Sequence, residues 1–278
     1  MRRFVLCAVL LLSGFVLRAQ EPAAASAVPA ADSVAADAAA GRADMQLPAE
    51  QLWDKANTAY INGDYRTAAE TYEQLLSRGL SSMKLYYNMG NACFKEGDIG
   101  RAILFYNRAL RLAPGNDDIR YNLSVAEART KDTIEDIPEF FLVSWLRDVR
   151  HTMGCTAWSV LSLAALLCGL ALFLLYLLAS RLALRKAGFY GTCAAALLFL
   201  LTSWFALGER REMLDESRAV VMVASTAVKS SPDKSATDLF LLHEGTVVKI
   251  TGRLDGWCEV VIADGKKGWL ESRKIEVI

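Results

Sequence analysis

Two uncharged stretches decide what this chain can become: 29 residues from Thr152 to Ser180 and 22 from Ala187 to Gly208 contain no Asp, Glu, Lys or Arg. Each exceeds the ~20 apolar residues that a helix needs to cross a bilayer core. Burying two such helices in a soluble domain would demand a large surrounding fold, and the flanking segments are too short to supply it. Both are therefore expected to be transmembrane helices, over 152–180 and 187–208, and they explain a hydrophobic content of 53% that is high for a soluble domain. Between them RLALRK (181–186) holds three basic side chains. Short Lys- and Arg-rich loops stay in the cytoplasm, although Arg147, Arg150, Arg210 and Arg211 flank the outer ends as well.

The start of the chain settles the expected orientation. Arg2-Arg3, an apolar run from Phe4 to Val16 and then Arg18-Ala19-Gln20 have the pattern of a secretory signal over 1–19, with cleavage near Ala19. Cys7 has no small residues before it, which argues against a lipoprotein anchor. The signal sends the chain from Glu21 onward across the membrane, so the hairpin dips in and returns with RLALRK inside. The expected location is the inner (cytoplasmic) membrane, multi-pass, with the regions before and after the hairpin in the periplasm. An Ala-rich tract, 20–48, lacks the apolar residues for a core and reads as a flexible linker. Within 131–151, PEFFLVSWLRDVR gathers Phe140, Phe141, Leu142, Val143, Trp145 and Leu146, as expected of a segment lying on the outer leaflet. Neither span holds a charged residue, which favours an anchor in the lipid bilayer over a transport role.

Before the membrane the sequence repeats with a period of 34: GDYRTAAETYEQLL begins at Gly63 and GDIGRAILFYNRAL at Gly97. At that offset Asn57 matches Asn91, Ala68 matches Ala102 and Tyr72 matches Tyr106. This resembles the tetratricopeptide repeat (TPR), a helix-turn-helix unit, with Gly90, Ala102, Ala109 and Pro114 at that family's small and proline positions. The first repeat departs from it at Ala56 and Leu80. Such units stack because none can bury its apolar face alone. A further helix from Asp117 keeps the period, so five helices forming an all-α solenoid are expected over 49–130. The resemblance places the binding groove on the first helix of each repeat, at Trp53, Asn57, Tyr60, Tyr87, Asn88, Asn91, Phe94, Asn122 and Val125. Asn57 with Asn88 and Asn91 with Asn122 repeat a spacing of 31, a ladder of amides able to hold a peptide backbone. Trp53 and Asp118 stand where carboxylate-clamping members carry basic residues, so an apolar, aromatic-lined peptide site is expected instead.

After a linker, 209–217, the texture changes to short β-branched runs, with Asp255-Gly256 and Asp264-Gly265 as hairpin signals. About five antiparallel strands over 218–278 suit a small barrel. LHEGTVVKITGRLDGWCEVVIADGKKGWLES resembles the bacterial SH3-like (SH3b) domain at Gly245, Gly256-Trp257 and Gly265 to Trp269. Trp257 and Trp269 are read as core residues. The resemblance implies cell-wall glycan or peptide binding, or an adaptor role.

Charge balances before the membrane and nearly balances after Ser217, so no basic face points to nucleic acid. His151 and His243, the two histidines, have no nucleophile or ligand partner at useful spacing, and no phosphate-binding glycine loop occurs. Neither an enzyme nor a metal or organic cofactor is expected. The whole order of parts (multidomain; TPR solenoid, transmembrane α-hairpin, small all-β SH3-like barrel) resembles the BatE-type proteins of the Bacteroides aerotolerance (Bat) operons. That resemblance implies an adaptor for membrane or periplasmic proteins, among them von Willebrand A-domain Bat proteins, linked to oxygen or envelope stress. The alternative is a wall-sensing protein that binds peptidoglycan through its barrel.

Overall fold

In a computed structural model, the structure describes residues 47–134, 137, 138 and 140–278; the expected signal and nearly all of the Ala-rich linker lie outside them. The fold is multidomain, as expected: a helical-repeat solenoid, a long apolar hairpin and a small all-β unit.

The solenoid contains α1 (Ala49–Ile61), α2 (Tyr65–Ser77), α3 (Met83–Glu96), α4 (Ile99–Leu112) and α5 (Asp117–Glu127). The repeated Gly-Asp pair divides two tasks. Gly63 and Gly97 adopt φ of 82° and 98°, a left-handed turn that costs glycine little. Asp64 and Asp98 then cap the next helix, each accepting from the amide three residues on, at 3.1 and 2.9 Å. Ser82 and Asn116 cap α3 and α5 in the same way. In the core, Ala68 and Ala102 are fully buried beside Tyr72 and Tyr106. A Cβ on Gly90 would fall 2.7 Å from the Tyr106 ring, so this glycine is the hollow into which the tyrosine fits.

Next come α6 (Phe141–His151), α7 (Cys155–Leu178) and α8 (Leu182–Met213). The last two, of 24 and 32 residues, are long and apolar enough to cross a membrane. Small residues let them approach: a Cβ on Gly188 would meet the Tyr176 backbone nitrogen at 2.7 Å, and Ser162 and Ser203 share a hydrogen bond of 2.7 Å. Trp158 packs edge-on against Phe205 at 4.8 Å. Most of their remaining leucines face outward. Helix α8 differs from the expected limits at both ends, starting inside RLALRK and running past Gly208 to Met213. Glu209 to Glu212 are good helix formers, and Arg150 of α6 reaches across to pair with Glu209 at 2.8 Å and with Glu212.

Seven strands complete the chain, rather than about five: β1 (Arg218–Val221), β2 (Ser225–Lys229), β3 (Asp238–His243), β4 (Val247–Leu254), β5 (Trp257–Val261), β6 (Lys267–Glu271) and β7 (Ile275–Val277). The extra strands include β2, which follows β1 after a break of three residues, 222–224. The sheet order is β3-β2-β6-β5-β4-β1-β7, with every pairing antiparallel. Side chains from β1 through β6 share one core cluster, so the sheet must curl around it. Asp255 and Gly256 both take positive φ, 44° and 80°, closing the two-residue β4–β5 hairpin between Leu254 and Trp257.

Trp257 and Trp269 correct the expectation that they are core residues. Strand alternation sends Cys258, Val260 and Leu270 inward, so both tryptophans stand half-exposed on the outer face.

Candidate functional site

On the first-helix face of the repeats, α1 contributes Trp53, Asn57 and Tyr60, α3 contributes Tyr87, Asn88, Asn91 and Phe94, and α5 contributes Asn122 and Val125, all half-buried. The amides are not a free ladder. Asn57 Oδ1 accepts from the Tyr72 hydroxyl at 2.7 Å and from Asn88 Nδ2 at 3.4 Å. One repeat later, Asn91 Oδ1 accepts from the Tyr106 hydroxyl at 2.8 Å and from Asn122 Nδ2 at 3.0 Å. Asn122 also donates to the Tyr87 hydroxyl at 3.0 Å. Each triad joins a buried tyrosine to two neighbouring first helices.

Burial pushes the Tyr72 hydroxyl up to about 12 and raises Tyr106 as well, so both remain protonated donors. With the two acceptors committed inward, Asn57 Nδ2 and Asn91 Nδ2 and the carbonyl ends of Asn88 and Asn122 make no hydrogen bond among the described residues. A donor and an acceptor per repeat is what an extended backbone requires. The flanking surface is aromatic: Trp53 packs edge-on to Tyr72 at 5.8 Å, Tyr60 meets Tyr65 at 5.3 Å, and Arg129 lies over the Phe94 ring at 4.2 Å. The tyrosine anchors carry their own sequence signal, a repeated spacing of 15 between Asn57 and Tyr72 and between Asn91 and Tyr106.

The barrel docks against α4, away from these side chains. Val220 and Ile278 join the hydrophobic core of the repeats. Glu244 accepts from the Gly100 amide at 2.9 Å in the first turn of α4, where a carboxylate also meets the positive helix end. Arg108 binds the Glu276 carboxylate at 3.0 Å and the Val277 carbonyl at 2.6 Å, and Arg218 donates to Asn107 at 3.3 Å.

A further latch lies after α5. Asp132 accepts from the His243 amide at 2.7 Å, the His243 ring at 2.6 Å and the Thr246 hydroxyl at 2.6 Å. Burial opposes its charge, but these donors outweigh burial and hold its carboxyl below the usual carboxylate range. A depressed folded value means the latch is complete above the ordinary aspartate value of ~3.9 and is lost as pH falls through the lower folded value. Asp132→Asn should therefore loosen the latch at neutral pH by about 1.5–3 kcal/mol, the worth of hydrogen bonds to a charged group. It should also remove the acid dependence. Exchange of the His243 amide between acid and neutral pH, corrected for intrinsic rates, measures both; superimposable profiles for the two proteins would refute the latch.

His151, Glu209 and Glu212 are close enough to share an ion. Arg150 already threads the group and pairs with both carboxylates, so the arginine supplies the positive charge there.

Comparison with known families agrees with this architecture. The tetratricopeptide repeat model matches residues 53–117 and the bacterial SH3 domain model matches residues 224–276. No curated protein matches the chain. Both are non-catalytic binding domains, the first suggesting protein–protein interaction and the second peptidoglycan binding.

Proposed function

We propose that this chain is a non-enzymatic, membrane-anchored scaffold whose apolar hairpin spans the inner membrane and whose repeats bind protein partners in the periplasm. The observation that carries this reading is the division of surfaces on the repeats. The barrel occupies α4, while Trp53, Asn57, Tyr60, Tyr87, Asn88, Asn91, Phe94 and Asn122 keep a half-exposed face of aromatic rings and amide ends. The BatE-type resemblance makes von Willebrand A-domain membrane proteins the partners to look for.

The test is crosslinking in intact envelopes with subsequent pull-down. Asn57 is unsuitable for substitution because its loss would strip the Tyr72 hydroxyl of its acceptor. Asn88→Ala with Tyr60→Ala removes exposed groove chemistry and should lower partner recovery about tenfold, as loss of a modest hot spot does. Recovery equal to that of the native chain would eliminate the groove.

A second reading draws on the outer face of the barrel, where half-exposed Trp257 and Trp269 stand on the sheet that also carries exposed Leu239 and Leu241. Sedimentation with purified sacculi, lost on Trp269→Ala, would transfer the function to this face and make the repeats a spacer.

A further inference from the structure

At the end of the apolar hairpin nearest the two folded units, α6, α8 and the residues that lead into β1 line an open cleft of about 790 Å³. Its chemistry changes along its length. Val143 and Leu146 of α6 and Trp204 and Phe205 of α8 form an apolar part. Arg147 and Arg150 on α6, Arg211 on α8 and Arg218 at the start of β1 form a basic part, outnumbering Glu212 and Asp215. On α8 the step from Trp204 to Glu212 covers about 12 Å at 1.5 Å per residue. Gly208 sits between the two zones, where a Cβ would fall 3.1 Å from the Arg150 side chain, so the wall stays open there.

Arg150 is oriented by Glu209 and by Glu212, and its carbonyl accepts from Trp158 Nε1 at 2.8 Å. The arginine is thus held in place, with α6 fixed against the hairpin. The rest of α6 has exposed Phe141, Leu142 and Trp145, a face fitted to the boundary between acyl chains and headgroups.

We infer that this cleft binds an anionic phospholipid, with the phosphate among Arg147, Arg211 and Arg218 and the acyl chains along Val143, Leu146, Trp204 and Phe205. Arginine forks match phosphate oxygens two at a time, and the apolar part lies toward the spans, where a tethered chain would run. A free phosphate would have no use for that part. The inference rests on the hairpin crossing a bilayer, and it gives the basic residues at the outer ends a task besides setting topology.

The full chain, purified and placed in nanodiscs of phosphatidylglycerol or of phosphatidylcholine, would be released and weighed by native mass spectrometry for retained lipid. Retention of phosphatidylglycerol over phosphatidylcholine is expected. Arg147→Gln with Arg211→Gln should reduce retention about thirtyfold, from two arginines near a lipid surface, while Arg147→Lys with Arg211→Lys retains most of it. Equal retention of the two lipids, or no loss in the glutamine variant, overturns the lipid site and leaves the hairpin reading intact. Displacement by glycerol phosphate as effective as by phosphatidylglycerol also overturns it, in favour of a free-phosphate site. Extraction of the chain from envelopes by alkaline carbonate would overturn the membrane reading itself, and the lipid site with it.

Discussion

Replacing Tyr106 by alanine should destabilise the repeats by about 3–5 kcal/mol, the usual cost of deleting a buried aromatic ring. Tyr106 is 1% exposed, and its ring occupies the hollow left by Gly90. Its hydroxyl also donates to Asn91, which orients the amide that Asn122 of the next helix joins. The two contributions separate by substitution. Tyr106→Phe keeps the ring and loses one neutral hydrogen bond, a net of about 1 kcal/mol, and Asn91 still accepts from Asn122. Hydrogen exchange in the full chain would show the difference in α3, α4 and α5: protection should fall on the order of a hundredfold or more for alanine and about fivefold for phenylalanine. If the two variants lost protection equally, the hydroxyl rather than the ring would be the anchor, and the packing account of the repeat would be wrong.

The sequence revealed the repeats readily because a period of 34 shows the same physical solution twice: Gly-Asp for the turn and cap, Ala against Tyr for the close approach. The apolar hairpin was equally readable, since its signal is the absence of charge over more than a bilayer's thickness. Strand alternation in the barrel was legible too: buried Cys258 and Leu270 set the parity that turns Trp257 and Trp269 outward. The proposed groove follows from analogy with the repeat family, but its hydrogen bonding does not. An asparagine does not announce which end of its amide is already committed, and only the buried tyrosine hydroxyls decide that. Docking of the barrel on α4 was illegible for a different reason. Its pairs, such as Gly100 with Glu244 and Asp132 with His243, are far apart in the chain and obey no period. One local hint existed: Gly100 lies in a helix, where the matching position of the first repeat is Arg66.

That glycine yields the sharpest test of the docked arrangement. A glycine within a helix costs about 0.5–1 kcal/mol relative to alanine, so replacing Gly100 by leucine should strengthen α4 when considered alone. In the folded chain Gly100 is buried, and a Cβ there would come within 2.7 Å of the Glu244 side chain. Alanine could be accommodated by turning that flexible carboxylate aside. Leucine must push further, into the turn around Gly245, which is itself packed so that a Cβ would meet Thr130 at 2.8 Å and Ile103 at 3.0 Å. Overpacking of about 1–3 kcal/mol, together with the lost amide-to-Glu244 hydrogen bond, should weaken docking by about 3 kcal/mol, or roughly a hundredfold. Exchange of the Gly100-position and His243 amides, whose partners lie across the interface, should rise accordingly while amides inside α4 and the β4–β5 hairpin keep their protection. Retained protection at both interface amides would mean that the barrel does not depend on this contact for its position. Global loss in α4 would mean that the glycine serves the helix packing and not the barrel. With undocking alone, the proposed groove remains intact on a freed solenoid, and partner recovery from the same variant then tests whether the proposed scaffold would work as one rigid body or as two tethered binding units.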